Sequence, residues 1–72
     1  MIYDVIVSKE ALILDSIFVE DIEHTVVAEM VQKHMGRRRK IKLDKTNRFN
    51  RTYKNNITIQ VIPIDITTTH TL

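Results

Sequence analysis

Residues 21–36 read DIEHTVVAEMVQKHMG, and this stretch decides the fold. Ile22, Val26, Val27, Met30, Val31 and Met35 recur at three- and four-residue steps, which lines them along one side of a helix. Asp21 is the expected N-cap, its carboxylate accepting a backbone N–H that the first turn leaves unpaired. Glu20, Asp21 and Glu23 stand at the positive end of the helix dipole, and Lys33, His34 and Arg37 at the negative end. Gly36 is the only glycine in the chain. It falls where a left-handed residue would stop the helix.

The flanking stretches read as strands. Ile2 to Val7 is short and rich in β-branched residues, with Tyr3, Val5 and Val7 sharing one face. In Ala11–Val19, Leu12-Ile13-Leu14 and Ile17-Phe18-Val19 flank Asp15-Ser16. This segment is expected to be a strand pairing back on the first; the rival is an early helix starting at Lys9, since short apolar runs do not separate the two. Lys40-Ile41-Lys42-Leu43 alternates charged and apolar side chains and is expected to be a half-exposed strand. Ile57 to Val61 alternates strictly and reads as another. Ile62, Ile64 and Ile66 then carry the apolar side chains, so the phase flips near Ile62-Pro63, where proline calls for a bulge or an edge position.

The expected order is β-β-α-β-β, an α+β fold with one helix packed on one face of a small, mostly antiparallel sheet. A single domain is expected over residues 1–66, with residues 67–72 as a frayed tail. The helix stripe, Tyr3, Val5, Val7, Ile57, Ile59 and Val61 are the expected core. With 72 residues the chain is too short for the large catalytic architectures. A domain of this size buries only about 60% of the surface of its unfolded chain, so a homodimer would supply missing burial. The absence of cysteine removes disulfides and thiolate metal sites. No apolar run approaches the roughly 18 residues of a membrane span, so no membrane partner is expected. Met1-Ile2-Tyr3-Asp4 lacks a basic leader, which makes the cytoplasm the expected compartment. Asn50-Arg51-Thr52 and Asn56-Ile57-Thr58 match the glycosylation sequon, and in that compartment the match is accidental.

The net charge of +2 conceals a strong asymmetry. Residues 1–32 hold one base, Lys9, against Asp4, Glu10, Asp15, Glu20, Asp21, Glu23 and Glu29, a net charge of −6. Residues 33–54 hold ten bases against Asp44 alone, a net charge of +9. Such a division points to nucleic acid or an acidic partner. The candidate nucleic-acid-binding residues are Arg37, Arg38, Arg39, Lys40, Lys42, Lys45, Arg48, Phe49, Arg51, Tyr53 and Lys54. Cationic side chains neutralise phosphates and release counterions. Aromatic rings and guanidinium planes stack on unpaired bases. Two plainer readings stand beside this one. A charge run also serves as a solvated face, and Phe49 and Tyr53, four residues apart, would suit one face of a short helix over the core.

Catalytic chemistry finds little support in the residues. His24 and His34 are ten residues apart and point in different directions at about 100° per residue, so they do not form an i, i+4 metal pair. His24 lies beside Glu20 and Glu23, a pairing seen in acid–base cleavage of RNA, but an exposed first-turn histidine accounts for it. Ser8 and Ser16 lack a nucleophile-elbow context, and a single glycine excludes a glycine-rich phosphate loop. No enzyme, cofactor or metal is expected.

The short ββαββ layout, the abundance of Ile, Asn, Lys and Thr, the lack of cysteine and the concentrated charge resemble the small accessory proteins of bacteriophages. The likeness covers the whole chain. It implies binding to host machinery such as polymerases, ribosomes, transfer RNA or defence nucleases. The expected function is therefore a non-enzymatic regulator that contacts RNA or an RNA–protein assembly through residues 37–54. The alternative is a protein-binding inhibitor of a host enzyme or defence nuclease, acting by charge complementarity.

Overall fold

Val5 and Val7 expose no surface to solvent, and they mark the plane of the core. The computed structural model describes residues 1–64, so the expected tail over 67–72 and the last two residues of the expected domain lie outside the described residues. Val5 and Val7 belong to strand β1 (Ile2–Lys9). Strands β2 (Leu12–Val19) and β4 (Ile57–Ile64) flank β1 on either side, and both run antiparallel to it. Strand β3 (Phe49–Thr52) pairs with the far side of β4, completing one sheet of order β2-β1-β4-β3. Helix α1 (Thr25–Met35) follows β2 and packs over β1 and β2. The order is β-β-α-β-β and the class is α+β, as the sequence predicts.

Alternation along the strands separates two faces. Val5, Val7, Ile57, Ile59 and Val61 point toward the helix and bury against Val27, Met30 and Val31. Burying a side chain of this kind contributes about 1.5–3 kcal/mol relative to leaving it exposed. Residues 12–19 resolve as a strand, not a helix, and a two-residue turn joins it to β1. Glu10 and Ala11 in that turn both have positive φ, 50° and 70°. Such a turn matches the right-handed twist of the strands. The β1–β2 ladder shifts register between Val7 and Ser8, where Val7 faces Asp15 and Ser8 faces Ile13.

The helix ends as expected and begins later than expected. Gly36 adopts φ +77°, and its N–H donates to the Gln32 carbonyl at 2.9 Å. At the other end the N-cap is His24, not Asp21: the His24 Nδ1 accepts from the Val26 N–H at 3.1 Å. Asp21 closes a preceding turn, where its carboxylate accepts from the Glu23 N–H at 3.0 Å and its carbonyl from the His24 N–H at 3.1 Å. A carboxylate engaged two residues along the chain competes with the helix for the same backbone donors. No acid occupies the first helical turn. No helix among the described residues is long and apolar enough to cross a membrane.

Lys40–Leu43 is not a strand. Ile41 and Leu43 are half-buried against the core while Lys40 and Lys42 are exposed. The alternation thus reports which side meets the core, a condition an extended segment meets without ladder pairing. The place beside β4 goes to Phe49–Thr52, because the turn over 53–56 folds the preceding residues back, with Phe49 opposite Val61 and Thr52 opposite Thr58. Asn56 in that turn has φ +64°, a conformation asparagine tolerates well. Phe49 and Tyr53 therefore lie on a hairpin rather than on a short helix. The expected bulge at Ile62-Pro63 is also absent: β4 pairs with β1 without a shift from Ile57 to Ile64. Pairing with β3 stops at Val61, so Pro63 stands where one side of β4 is a local edge. Ile62 and Ile64 consequently face away from the helix.

Candidate nucleic-acid interface

The basic segment starts where Gly36 turns the chain out of α1. Arg37 and Arg38 are exposed there, and Arg39 is half-buried. The Arg39 guanidinium carbon lies 4.8 Å from the centre of the Tyr53 ring, and that of Arg51 lies 5.1 Å from it. Both fall within the range of a cation–π contact. The backbone holds Tyr53 firmly: its N–H donates to the Ile57 carbonyl at 2.8 Å, and its carbonyl accepts from the Asn56 N–H at 2.9 Å. Arg51 reaches the ring because residues two apart on an extended chain share a face.

These side chains border an open depression of about 570 Å³. Arg37, Arg39, Arg51, Tyr53 and Lys54 line it, with Met35, Thr52 and Asn55. The ion pairs among the described residues join Asp15 to Lys33 at 4.0 Å and to His34 at 3.2 Å. None involves the cations of the depression. The Arg39 Nε is shielded from solvent and has no hydrogen-bond partner among the described residues. A polar group left in that state is costly, and an anion seated beside it would relieve both the missing bond and the repulsion among the cations.

The other sequence-predicted residues lie elsewhere. Lys40 and Lys42 line a neighbouring cavity of about 620 Å³, which also carries Glu20, Asp21 and Glu23 and shares Arg39 with the depression. Lys45 and Arg48 belong to a loop before β3, at the opposite end of that strand from Tyr53. Asp44 organises this loop. Its carboxylate accepts from the Thr46 N–H at 2.8 Å, the Thr46 hydroxyl at 2.6 Å and the Arg48 N–H at 3.0 Å. The Thr46 hydroxyl, followed by the backbone N–H groups of Arg48 and Thr46, holds the Asp44 carboxyl below the usual carboxylate range. Phe49 and Tyr53 both pack, half-buried, against the core, Phe49 opposite Val61, and of the two only Tyr53 lines the depression. Arg38 is exposed and lines neither cavity.

Thr52, Asn55 and Met35 line the depression without being among the sequence-predicted site residues. Of these, Met35 is the apolar one. It sits in the last helical turn, and only the direction of the chain after Gly36 brings it beside Arg37. His24 and its acidic neighbours are accounted for by the cap and the Asp21 turn. No family model, curated protein or solved structure matches this chain.

Proposed function

We propose that the protein is a small non-enzymatic regulator, acting in the cytoplasm, that contacts RNA or an RNA–protein assembly through residues 37–54. The depression around Tyr53 is its anchor. One observation carries this reading: Arg37, Arg39, Arg51 and Lys54 gather about a single aromatic ring with no carboxylate paired to them among the described residues. Such a group offers phosphate neutralisation together with a stacking platform made of guanidinium planes and a phenol ring. Single-stranded RNA suits it better than duplex, because unpaired bases are free to stack. The likeness to phage accessory proteins fits a regulator of this size.

Fluorescence anisotropy with a 12-nucleotide single-stranded RNA, a transfer RNA and a duplex DNA tests the reading. Both RNAs are expected to bind more tightly than the duplex. Replacing Tyr53 with alanine should weaken single-strand binding by about 1–3 kcal/mol. Equal, salt-insensitive affinity for all three, or full binding by an Arg37→Ala/Arg39→Ala/Arg51→Ala variant, would overturn it.

A further inference from the structure

The sheet has a second face, and among the described residues no element covers it. Ile2, Ile6, Phe18, Ile62 and Ile64 alternate with the buried side chains of β1, β2 and β4, so they project away from α1. Phe18 is 70% exposed. Asp4 stands in their midst, opposite Phe18 on one side and Ile62 on the other, with Ile2 and Ile6 two residues away along β1. Its Oδ1 is shielded from solvent and has no hydrogen-bond partner among the described residues. An apolar patch alone would say nothing about what covers it. A half-buried carboxylate at its centre, with no hydrogen-bond or ion-pair partner among the described residues, does, because a cation brought by a partner would pair with it.

We infer that this face docks a helix of a partner protein whose apolar side carries one lysine or arginine aimed at Asp4. The apolar strip crosses β2, β1 and β4. Three strands about 4.8 Å apart span roughly 10 Å, the diameter of a helix with its side chains. Charge complementarity decides against a second copy. A twofold axis through the centre of the patch would bring two Asp4 carboxylates together, and like charges in a shared apolar site oppose each other. A cation at that position instead pairs with the Asp4 carboxylate and is attracted by a domain half whose first 32 residues carry a net charge of −6. This surface is distinct from the Tyr53 depression, so the protein has one face for a basic-seeking ligand and another for an apolar, singly cationic one.

The test is selection from a displayed library of helical peptides with one randomised face, using the 72-residue chain as bait. Enriched peptides are expected to carry apolar residues at i, i+3, i+4 and i+7 with one lysine or arginine among them. Backbone amide shifts should map them to Asp4, Phe18 and Ile62. Phe18→Ser should weaken binding about tenfold, and Asp4→Asn about fivefold, with the cation no longer selected. Arg39→Ala/Arg51→Ala should leave binding unchanged, so failure here is separate from failure of the RNA reading. Phe18 is too exposed for its loss to unfold the domain, and Asp4→Asn keeps the shape of the side chain. The inference is overturned by peptides without a cation, by peptides that map to Tyr53, or by a failure to enrich any. It is equally overturned by a sedimentation dimer that Phe18→Ser dissolves, which would mean a second copy. Tighter peptide binding after shortening the chain at Ile64 would mean that residues 65–72 occupy the face.

Discussion

Three carboxylates, Asp15, Asp21 and Asp44, and the cations around Tyr53 are used in opposite ways. Asp15 on β2 faces the helix and accepts from His34 across 3.2 Å, tying α1 to the sheet edge. Asp21 closes the turn before the helix, and Asp44 organises the loop before β3. The cations around Tyr53 have no such duties. Arg39 even holds a shielded nitrogen without a partner. The fold therefore engages these three carboxylates in its own turns and packing, while the cations around Tyr53 pair with no carboxylate among the described residues.

This contrast can be broken from either side. The largest effect should come from Asp15→Ala. It leaves His34, whose side chain is 15% exposed, without its partner, and stability should fall by about 1–3 kcal/mol in urea unfolding. A loss below the error of the measurement would mean that Asp15 is as idle as the cations. The β1–β2 turn offers a smaller change, of opposite sign. Ala11 has φ +70°, and Ala11→Gly should raise stability by about 1 kcal/mol by removing the left-handed penalty. Destabilisation there would show that the turn holds the alanine for packing.

Arg39→Met sharpens the contrast further. The variant forfeits a cation–π contact worth about 0.5–1 kcal/mol at an exposed site, and it removes an unpaired buried nitrogen. Thermal unfolding should show no net loss, while RNA affinity falls. A large loss of stability would assign Arg39 to the fold. The mildest effect concerns pH. The Asp44 carboxyl titrates below its unfolded value, so its contribution is complete above the ordinary carboxylate range and is lost as pH falls through the lowered value. The protection of the Thr46 and Arg48 amides, taken relative to their intrinsic exchange at each pH, should fall only in that acid range, and amides unprotected at neutral pH would contradict the loop geometry.

Parts of this were legible in the residues. Of the expected stripe, Val27, Met30 and Val31 are buried and Gly36 ends the helix, because burial and a left-handed φ leave clear marks, whereas Val26 is 42% exposed and Ile22 precedes the helix. The helix start was obscured because Asp21 and His24 both offer acceptors, and the turn at Asp21 takes up the stronger capping residue. The third strand was displaced because Lys40–Leu43 alternates more cleanly than Phe49–Thr52, which contains Asn50 and two further polar residues. Alternation records one-sided burial, whereas pairing follows from the turn that delivers a segment to its neighbour. Asn55-Asn56, just before the strict alternation of β4, was the local signal of that turn. The grouping of Arg37 with Arg51 and Lys54 depends on this hairpin, so charge counting located the segment but not the depression.

The salt dependence of single-stranded RNA binding tests the central claim most directly. The wild-type chain should show a log–log slope that reflects several phosphate contacts, at about 0.7 per neutralised phosphate. Arg39→Ala/Arg51→Ala should shallow that slope by about 1.4, two contacts' worth, with folding intact. A slope near zero in the wild type, or one left unchanged by the double substitution, would contradict the account.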